Sequence, residues 1–206
     1  MSRRVLPFGD RAVLVEVDTL DDVLALYGAL DRTRPDGVVE LVPAARTIGV
    51  VIDPLRFPLS AARAWVTDVV PNDPGDDDAS PTIEIPVRYD GVDLAEVASL
   101  LGIMQADVVA LHTASSWRVA FSGFAPGFGY LVTDHDRLRV PRRSSPRATV
   151  PAGSVGLAGE FSGIYPRSSP GGWQLIGSTD AVLWDARAVD PALLSPGARV
   201  RFVEIR

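Results

Sequence analysis

Phe121-Ser-Gly-Phe-Ala-Pro-Gly-Phe-Gly-Tyr130 opens a stretch, running to Thr179, that no long helix can cross. It continues through Pro141-Arg-Arg-Ser-Ser-Pro-Arg147, Pro151-Ala-Gly-Ser-Val-Gly156, Gly163-Ile-Tyr-Pro166 and Ser169-Pro-Gly-Gly-Trp-Gln-Leu-Ile-Gly177. The stretch holds ten of the chain's 18 glycines and six of its 17 prolines. Glycine opens backbone angles closed to other residues, while proline fixes one dihedral and removes an amide donor. Short strands joined by shaped loops follow. From Trp117 onward the periodicity is two, with strand candidates at Trp117 to Phe121, Phe128 to Val132, Val155 to Ala158, Phe161 to Tyr165, Gln174 to Gly177, Ala181 to Trp184 and Val200 to Ile205. Many short strands with regular glycine turns predict a closed or nearly closed β-barrel.

Working outward, Ile83, Ile85 and Val87 alternate as a first strand of this domain, and Pro86 suits an edge position. Leu94, Val97, Ala98 and Leu101 form one apolar stripe, and Met104, Val108, Leu111 and His112 form another, which predicts a helical hairpin. Before them, Pro71-Asn-Asp-Pro-Gly-Asp-Asp-Asp-Ala-Ser-Pro81 mixes turn formers with like charge and reads as a linker rather than a metal site. Further upstream, Ala12 to Val17 alternate as a strand. Asp18 or Thr19 can cap a helix to about Asp31, with Val23, Leu26, Tyr27 and Leu30 on one face. Strands Val38 to Val42 and Ile48 to Ile52 and a helix from Ser60 to Val70 complete a β-α-β-β-α order. That order predicts an α+β sandwich of ferredoxin-like type with its last strand open. The domain reading is therefore 1–71 α+β, 72–81 linker and 82–206 barrel.

Composition narrows the chemistry. The chain has no cysteine, which excludes disulfides, thiolate nucleophiles and cysteine-bound zinc, and all 20 basic residues are arginine, which excludes lysine Schiff bases and lysine-containing phosphate loops. A net charge of −6 argues against nonspecific nucleic-acid binding. With 47% hydrophobic residues, no long apolar run and no signal-peptide pattern behind Met1-Ser-Arg-Arg4, the expectation is a cytoplasmic globular protein without a membrane span. There is no nucleophile elbow, no histidine-rich metal motif and no dinucleotide fingerprint. This suits a chain that supplies a binding surface or half an active site.

Several side chains can still grip an anion or a carbonyl. Arg142 and Arg147 offer planar forks of donors that pair with a carboxylate or phosphate, and Pro141, Pro146 and Pro151 hold their segments at low entropic cost; surface ion pairs are the plain alternative. Ser154 can donate to the same ligand, Tyr165 can present a phenol at a pocket rim, and Gln174 can both donate to and accept from an amide. His112 and His135 alone titrate near neutrality. His112 either belongs to the site or bonds the last carbonyls of its helix, and His135, among charges in Thr133-Asp-His-Asp-Arg137, reads as a solvated loop residue.

Taken in order, Gly123-Phe-Ala-Pro-Gly-Phe-Gly-Tyr-Leu131, Pro146-Arg-Ala-Thr-Val-Pro-Ala-Gly-Ser-Val155, Gly163-Ile-Tyr-Pro166 and Ser169-Pro-Gly-Gly-Trp-Gln-Leu-Ile-Gly177 resemble the allophanate hydrolase subunit 1 family. Gly9-Asp-Arg-Ala12 and Val38-Val-Glu-Leu-Val-Pro43 extend the resemblance toward the N-terminus. Gly129 stands where that family generally has proline. The family's best-known member type is the B subunit of 5-oxoprolinase, and it includes an inhibitor of a sporulation histidine kinase and a domain of urea amidolyases. The resemblance implies a cyclophilin-like second domain. It also implies part of an ATP-dependent lactam hydrolase that opens 5-oxoproline to glutamate only together with homologous C-type subunits and with A-type subunits. ATP is then the assembly's cosubstrate, with its place among the subunits left open. On this chain the resemblance points to Arg147, Arg142 and His112 as catalytic and to Ser154, Tyr165, Gln174, Gly153 and Pro126 as substrate-binding. The alternatives are a histidine-kinase inhibitor and part of an allophanate or other amide hydrolase.

Overall fold

The computed structural model describes residues 2–71 and 82–206, so the segment read as a linker, 72–81, lies outside the described residues. The chain divides into two compact units, Met1–Ala79 and Ser80–Arg206.

The first unit packs two helices on a four-stranded antiparallel sheet. Its strands are β1 (Arg3–Pro7), β2 (Ala12–Val17), β3 (Val38–Pro43) and β4 (Thr47–Ile52), and its helices are α1 (Leu20–Arg32) and α2 (Leu59–Asp68). Thr19 starts α1 with a reciprocal cap: its hydroxyl accepts the Asp22 N–H at 3.1 Å, and the Asp22 carboxylate accepts the Thr19 N–H at 3.2 Å. Val23, Leu26 and Leu30 then bury one helical face against Val13, Val15 and Val50 of the sheet. The sheet order is β1-β2-β4-β3. The strand left open by sequence is β1, at the front of the chain. The connectivity is thus ββαββα, whereas a ferredoxin-like chain runs βαββαβ.

The second unit is a nearly closed barrel. It comprises β5 (Thr82–Val87), α3 (Leu94–Leu101), α4 (Gln105–Ala114), β6 (Trp117–Ser122), β7 (Gly129–Val132), β8 (Arg147–Val150), β9 (Ser154–Ala158), β10 (Phe161–Ile164), β11 (Ser169–Gly171), β12 (Gln174–Ser178) and β13 (Arg199–Glu204). Seven strands form one sheet in the order β12-β9-β10-β7-β6-β13-β5, and β8 pairs with β11 as a separate ribbon. The two sheet edges meet where Arg88 and Ser178 exchange N–H···O bonds of 2.8 Å in both directions. Gly177 permits that seam, because a Cβ there would lie 2.5 Å from the Arg88 carbonyl oxygen. Pro86 lies in the edge strand β5, which joins β13 alone within the sheet, in parallel.

Helices α3 and α4 meet at an 89° bend after Gly102, whose φ of 68° ends α3. Val97, Ala98 and Val108 face the barrel core. Met104 does not join them: it precedes α4 as its cap residue and is exposed. Ala181 to Trp184 is not a strand either. The Thr179 hydroxyl accepts the Ala181 N–H and turns the chain, so only Trp184 makes a bridge, to Ala192. Among the described residues no single helix is long and apolar enough to cross a membrane.

Candidate binding site

The loop between β6 and β7 is made of two turns. The Ala125 N–H donates to the Gly123 carbonyl at 2.7 Å across Phe124, whose φ is +66°. This is a γ-turn of the rare, strained sense. The Phe128 N–H then donates to the Ala125 carbonyl at 3.0 Å, with Pro126 second and Gly127, at φ +82°, third in the turn. That is the residue order of a type II turn, so Pro126 fixes the loop's shape.

The loop delivers Phe124 and Phe128 to a cavity of about 150 Å³, walled also by Tyr130, Arg142, Tyr165 and Trp173. The rings meet edge to face: Phe128 lies 5.3 Å from Trp173 and 5.6 Å from Tyr165, centre to centre. Gly171 forms part of the wall because a Cβ there would fall 2.4 Å from the Tyr165 hydroxyl oxygen. Burial pushes the Tyr130 and Tyr165 phenols up, opposed at Tyr130 by Arg142 and at Tyr165 first by a hydrogen bond with the Trp173 backbone and then by Arg142. Both therefore stay protonated, able to donate at neutral pH. Arg142 is exposed and, among the described residues, makes no ion pair. A cavity of flat apolar faces with one uncommitted guanidinium suits a small, flat anion.

Arg147 is placed differently. Its Nη2 donates to Asp93 Oδ1 at 2.6 Å, and Arg143 Nη1 donates to the same oxygen at 3.0 Å. The second oxygen, Oδ2, accepts the Leu175 N–H of β12 at 2.7 Å. Asp93, only 3% exposed, thus pins two arginines to the sheet. Sequence reasoning missed it, since an aspartate just before a helix reads as an ordinary cap; yet it makes no cap hydrogen bond to α3. Gln174 is buried beside this cluster; its Nε2 donates to the Pro141 carbonyl at 3.4 Å, and its Oε1 has no protein partner among the described residues.

The remaining candidates lie apart from the cavity. Gly153, at φ +78°, lets the Thr179 carbonyl approach to 2.2 Å of where a Cβ would be, and Ser154 is buried at the start of β9. His112 is fully buried inside the barrel. Its Nδ1 lies 2.8 Å from the Tyr89 hydroxyl and its Nε2 2.9 Å from the Ser162 hydroxyl, while its ring stacks on Phe202 at 4.2 Å. Burial pushes its pKa down to about 3, so it is neutral. Instead of bonding its helix's last carbonyls it bridges two hydroxyls. His135 is half-buried rather than fully solvated: its Nε2 meets the Ser115 hydroxyl at 2.9 Å and its Nδ1 is buried. Among the described residues no group of three acidic or imidazole side chains could hold a metal ion.

The barrel and its motifs have counterparts. The chain belongs to the family described as carboxyltransferase domain, subdomain C and D, whose model matches residues 3–194. Within it the likeness is to the B subunit of 5-oxoprolinase, as the motifs indicate: the Escherichia coli O157:H7 protein so named is 40% identical over 206 residues, covering 95% of this chain and 93% of that one. The solved structure of TTHA0988 matches with a TM-score of 0.77 and 39% identity, over 95% of this chain but 40% of that longer one. Kluyveromyces lactis urea carboxylase, at 20% identity and a TM-score of 0.73, shares the fold over 99% of this chain and 22% of its own.

Proposed function

We propose that this chain is the B-type subunit of an ATP-dependent 5-oxoprolinase, hydrolysing 5-oxo-L-proline to L-glutamate together with C-type and A-type subunits. The N-terminal unit is taken as a ferredoxin-like sandwich whose last strand has moved to the front, and the barrel as the cyclophilin-like part. The observation that carries the reading is the aromatic cavity with Arg142 left unpaired among the described residues. There Arg142 holds the substrate carboxylate, or the phosphorylated intermediate, and the Tyr165 and Tyr130 hydroxyls orient the ring by donating to its oxygens. Arg147 acts as a positioning residue through Asp93, and Gln174, Ser154, Gly153 and Pro126 shape the surrounding backbone. His112, buried and neutral, stabilises the barrel beneath. The cavity, about 150 Å³ against the roughly 300–1,000 Å³ of usual ligand sites, suits the small acid, and in this reading the place of ATP among the subunits stays open.

The test is reconstitution with the partner subunits, following glutamate formation from 5-oxoproline. Arg142→Ala removes a charge-assisted bond of about 1.5–3 kcal/mol, so KM should rise roughly tenfold to a hundredfold with assembly intact. An assembled complex that ignores 5-oxoproline, or that turns over unchanged with Arg142→Ala, would overturn the reading.

A further inference from the structure

Phe124 is the only described residue other than glycine with a positive φ, +66°. Bulky side chains rarely occupy that region, and such strain persists only where something else compensates it. Burial does not compensate here: the ring is 56% exposed, although it leans edge-on against Phe128 at 5.2 Å and Tyr165 at 5.9 Å. The loop is otherwise rich in glycine, at Gly123, Gly127 and Gly129, and glycine at 124 would relieve the backbone at once. The chain instead keeps a large apolar ring, half uncovered, at the wall of a largely aromatic cavity whose one cation, among the described residues, is Arg142. Because Phe128 and Tyr165 already meet the ring at contact distance, a flat ligand can reach Phe124 only on its uncovered side and not between the rings.

We propose that Phe124 is a specificity-determining lid, packing its ring on the face of a small ring acid whose carboxylate is held by Arg142. This rests on the binding reading above and adds the residue that reads the ring of that substrate and so sets a cyclic acid apart from an open-chain carboxylate. The strained γ-turn presents the ring, and the type II turn at Pro126 and Gly127 keeps it from relaxing outward.

The experiment is calorimetric titration of the full-length chain with 5-oxoproline and with acetate, on wild type, Arg142→Ala, Phe124→Gly and Phe124→Ala, alongside thermal denaturation of each. Phe124→Gly should weaken 5-oxoproline binding about tenfold, the scale of one good aromatic contact, and leave acetate unchanged. Its thermal midpoint should be no lower than wild type, because relief of strain offsets the lost edge contacts. Phe124→Ala should lose binding equally but melt below Phe124→Gly, since alanine keeps the strained φ. Binding of 5-oxoproline that needs Arg142 yet is unchanged in Phe124→Gly would overturn the lid alone. A Phe124→Gly midpoint as low as that of Phe124→Ala would overturn the strain argument. No Arg142-dependent binding in wild type would overturn the site reading and the lid with it.

Discussion

Replacing Asp93 by asparagine tests whether one buried carboxylate organises the arginine-bearing side of the barrel. Asp93 Oδ1 accepts from Arg147 at 2.6 Å and Arg143 at 3.0 Å, and Oδ2 accepts from the Leu175 N–H at 2.7 Å. Asparagine has nearly the same shape but only one acceptor oxygen. If that oxygen faces the guanidiniums, the NH₂ group opposes the Leu175 N–H; if it faces Leu175, the NH₂ group opposes two cations. Either way at least one buried donor loses its partner. Hydrogen bonds to charged groups contribute about 1.5–3 kcal/mol, and removing one member of a buried pair costs about 3–5 kcal/mol. The Arg147 and Arg143 side chains keep 23% and 28% exposure against 4% for Asp93, so water recovers part of the loss. The lower end, about 3 kcal/mol, is the expected loss. Urea unfolding followed by tryptophan fluorescence measures it, and an Arg147→Ala background should shrink it by a kilocalorie or more, roughly one coupling energy. A loss below about 1 kcal/mol, the size of an exposed ion pair, would refute the claim that Asp93 is a structural centre.

Other outcomes follow from the same geometry. The buried His112 has a folded pKa of about 3 against an ordinary 6.5, so the unfolded chain binds the extra proton between those values. Stability is then full above about pH 6.5 and falls as the pH drops toward 3, by about 2 kcal/mol from pH 7 to pH 5 at 1.36 kcal/mol per unit. His112→Gln should flatten that part of the urea-midpoint profile, and parallel profiles for the two proteins would contradict it. Gly177→Ala puts a methyl 2.5 Å from the Arg88 carbonyl and 2.8 Å from Val87 Cγ1, so it should open the barrel seam at a cost of roughly 1–3 kcal/mol. Faster hydrogen exchange at the Arg88 and Ser178 amides would report it. Gly49→Ala, whose new carbon meets nothing nearer than 3.6 Å, should by contrast change the thermal midpoint little. Gly171→Ala should displace the Tyr165 phenol, 2.4 Å from the added carbon, and weaken 5-oxoproline binding in a titration where Gly49→Ala does not.

Periodicity and glycine spacing were enough to locate most barrel strands and all four helices, because those elements bury one regular face. What escaped had no such face. Strand β1, Arg3-Arg-Val-Leu-Pro7, shows little alternation and ends in proline, and it is held by pairing to β2 along its whole length, which sequence does not display. The β8–β11 ribbon is three or four residues a side and includes Pro170. Ala181 to Trp184 alternates as a strand should, but it meets a neighbour only around the Trp184–Ala192 bridge and does not extend a sheet. The candidate site was legible as residue types and not as geometry: Arg142, Arg147, Tyr165 and Gln174 were named, while the cavity's Phe124 and the buried Asp93 were not singled out as site residues. No local pattern announces a γ-turn at a phenylalanine, since the backbone there favours glycine.

The three arginines between Pro141 and Arg147 show how the fold separates roles that sequence leaves equal. Arg143 and Arg147 share one carboxylate, and the remaining acid nearby, Glu96, lies 3.5 Å from Arg143. Their charge is committed internally, and they tie α3 and β12 to the β8 segment. Arg142, one residue from Arg143, makes no ion pair among the described residues and instead faces Tyr130 and Tyr165 across the cavity. Both phenols are uncharged at neutral pH, their pKa pushed further up by burial, so they do not act as counter-ions to Arg142. A carboxylate at this rim would pair with Arg142 and compete with any anionic ligand. On the proposed binding reading, the lack of an acid opposite Arg142 among the described residues leaves its charge for a ligand, and adding a carboxylate there, as in Phe124→Glu, should abolish anion binding more completely than removing the Phe124 ring.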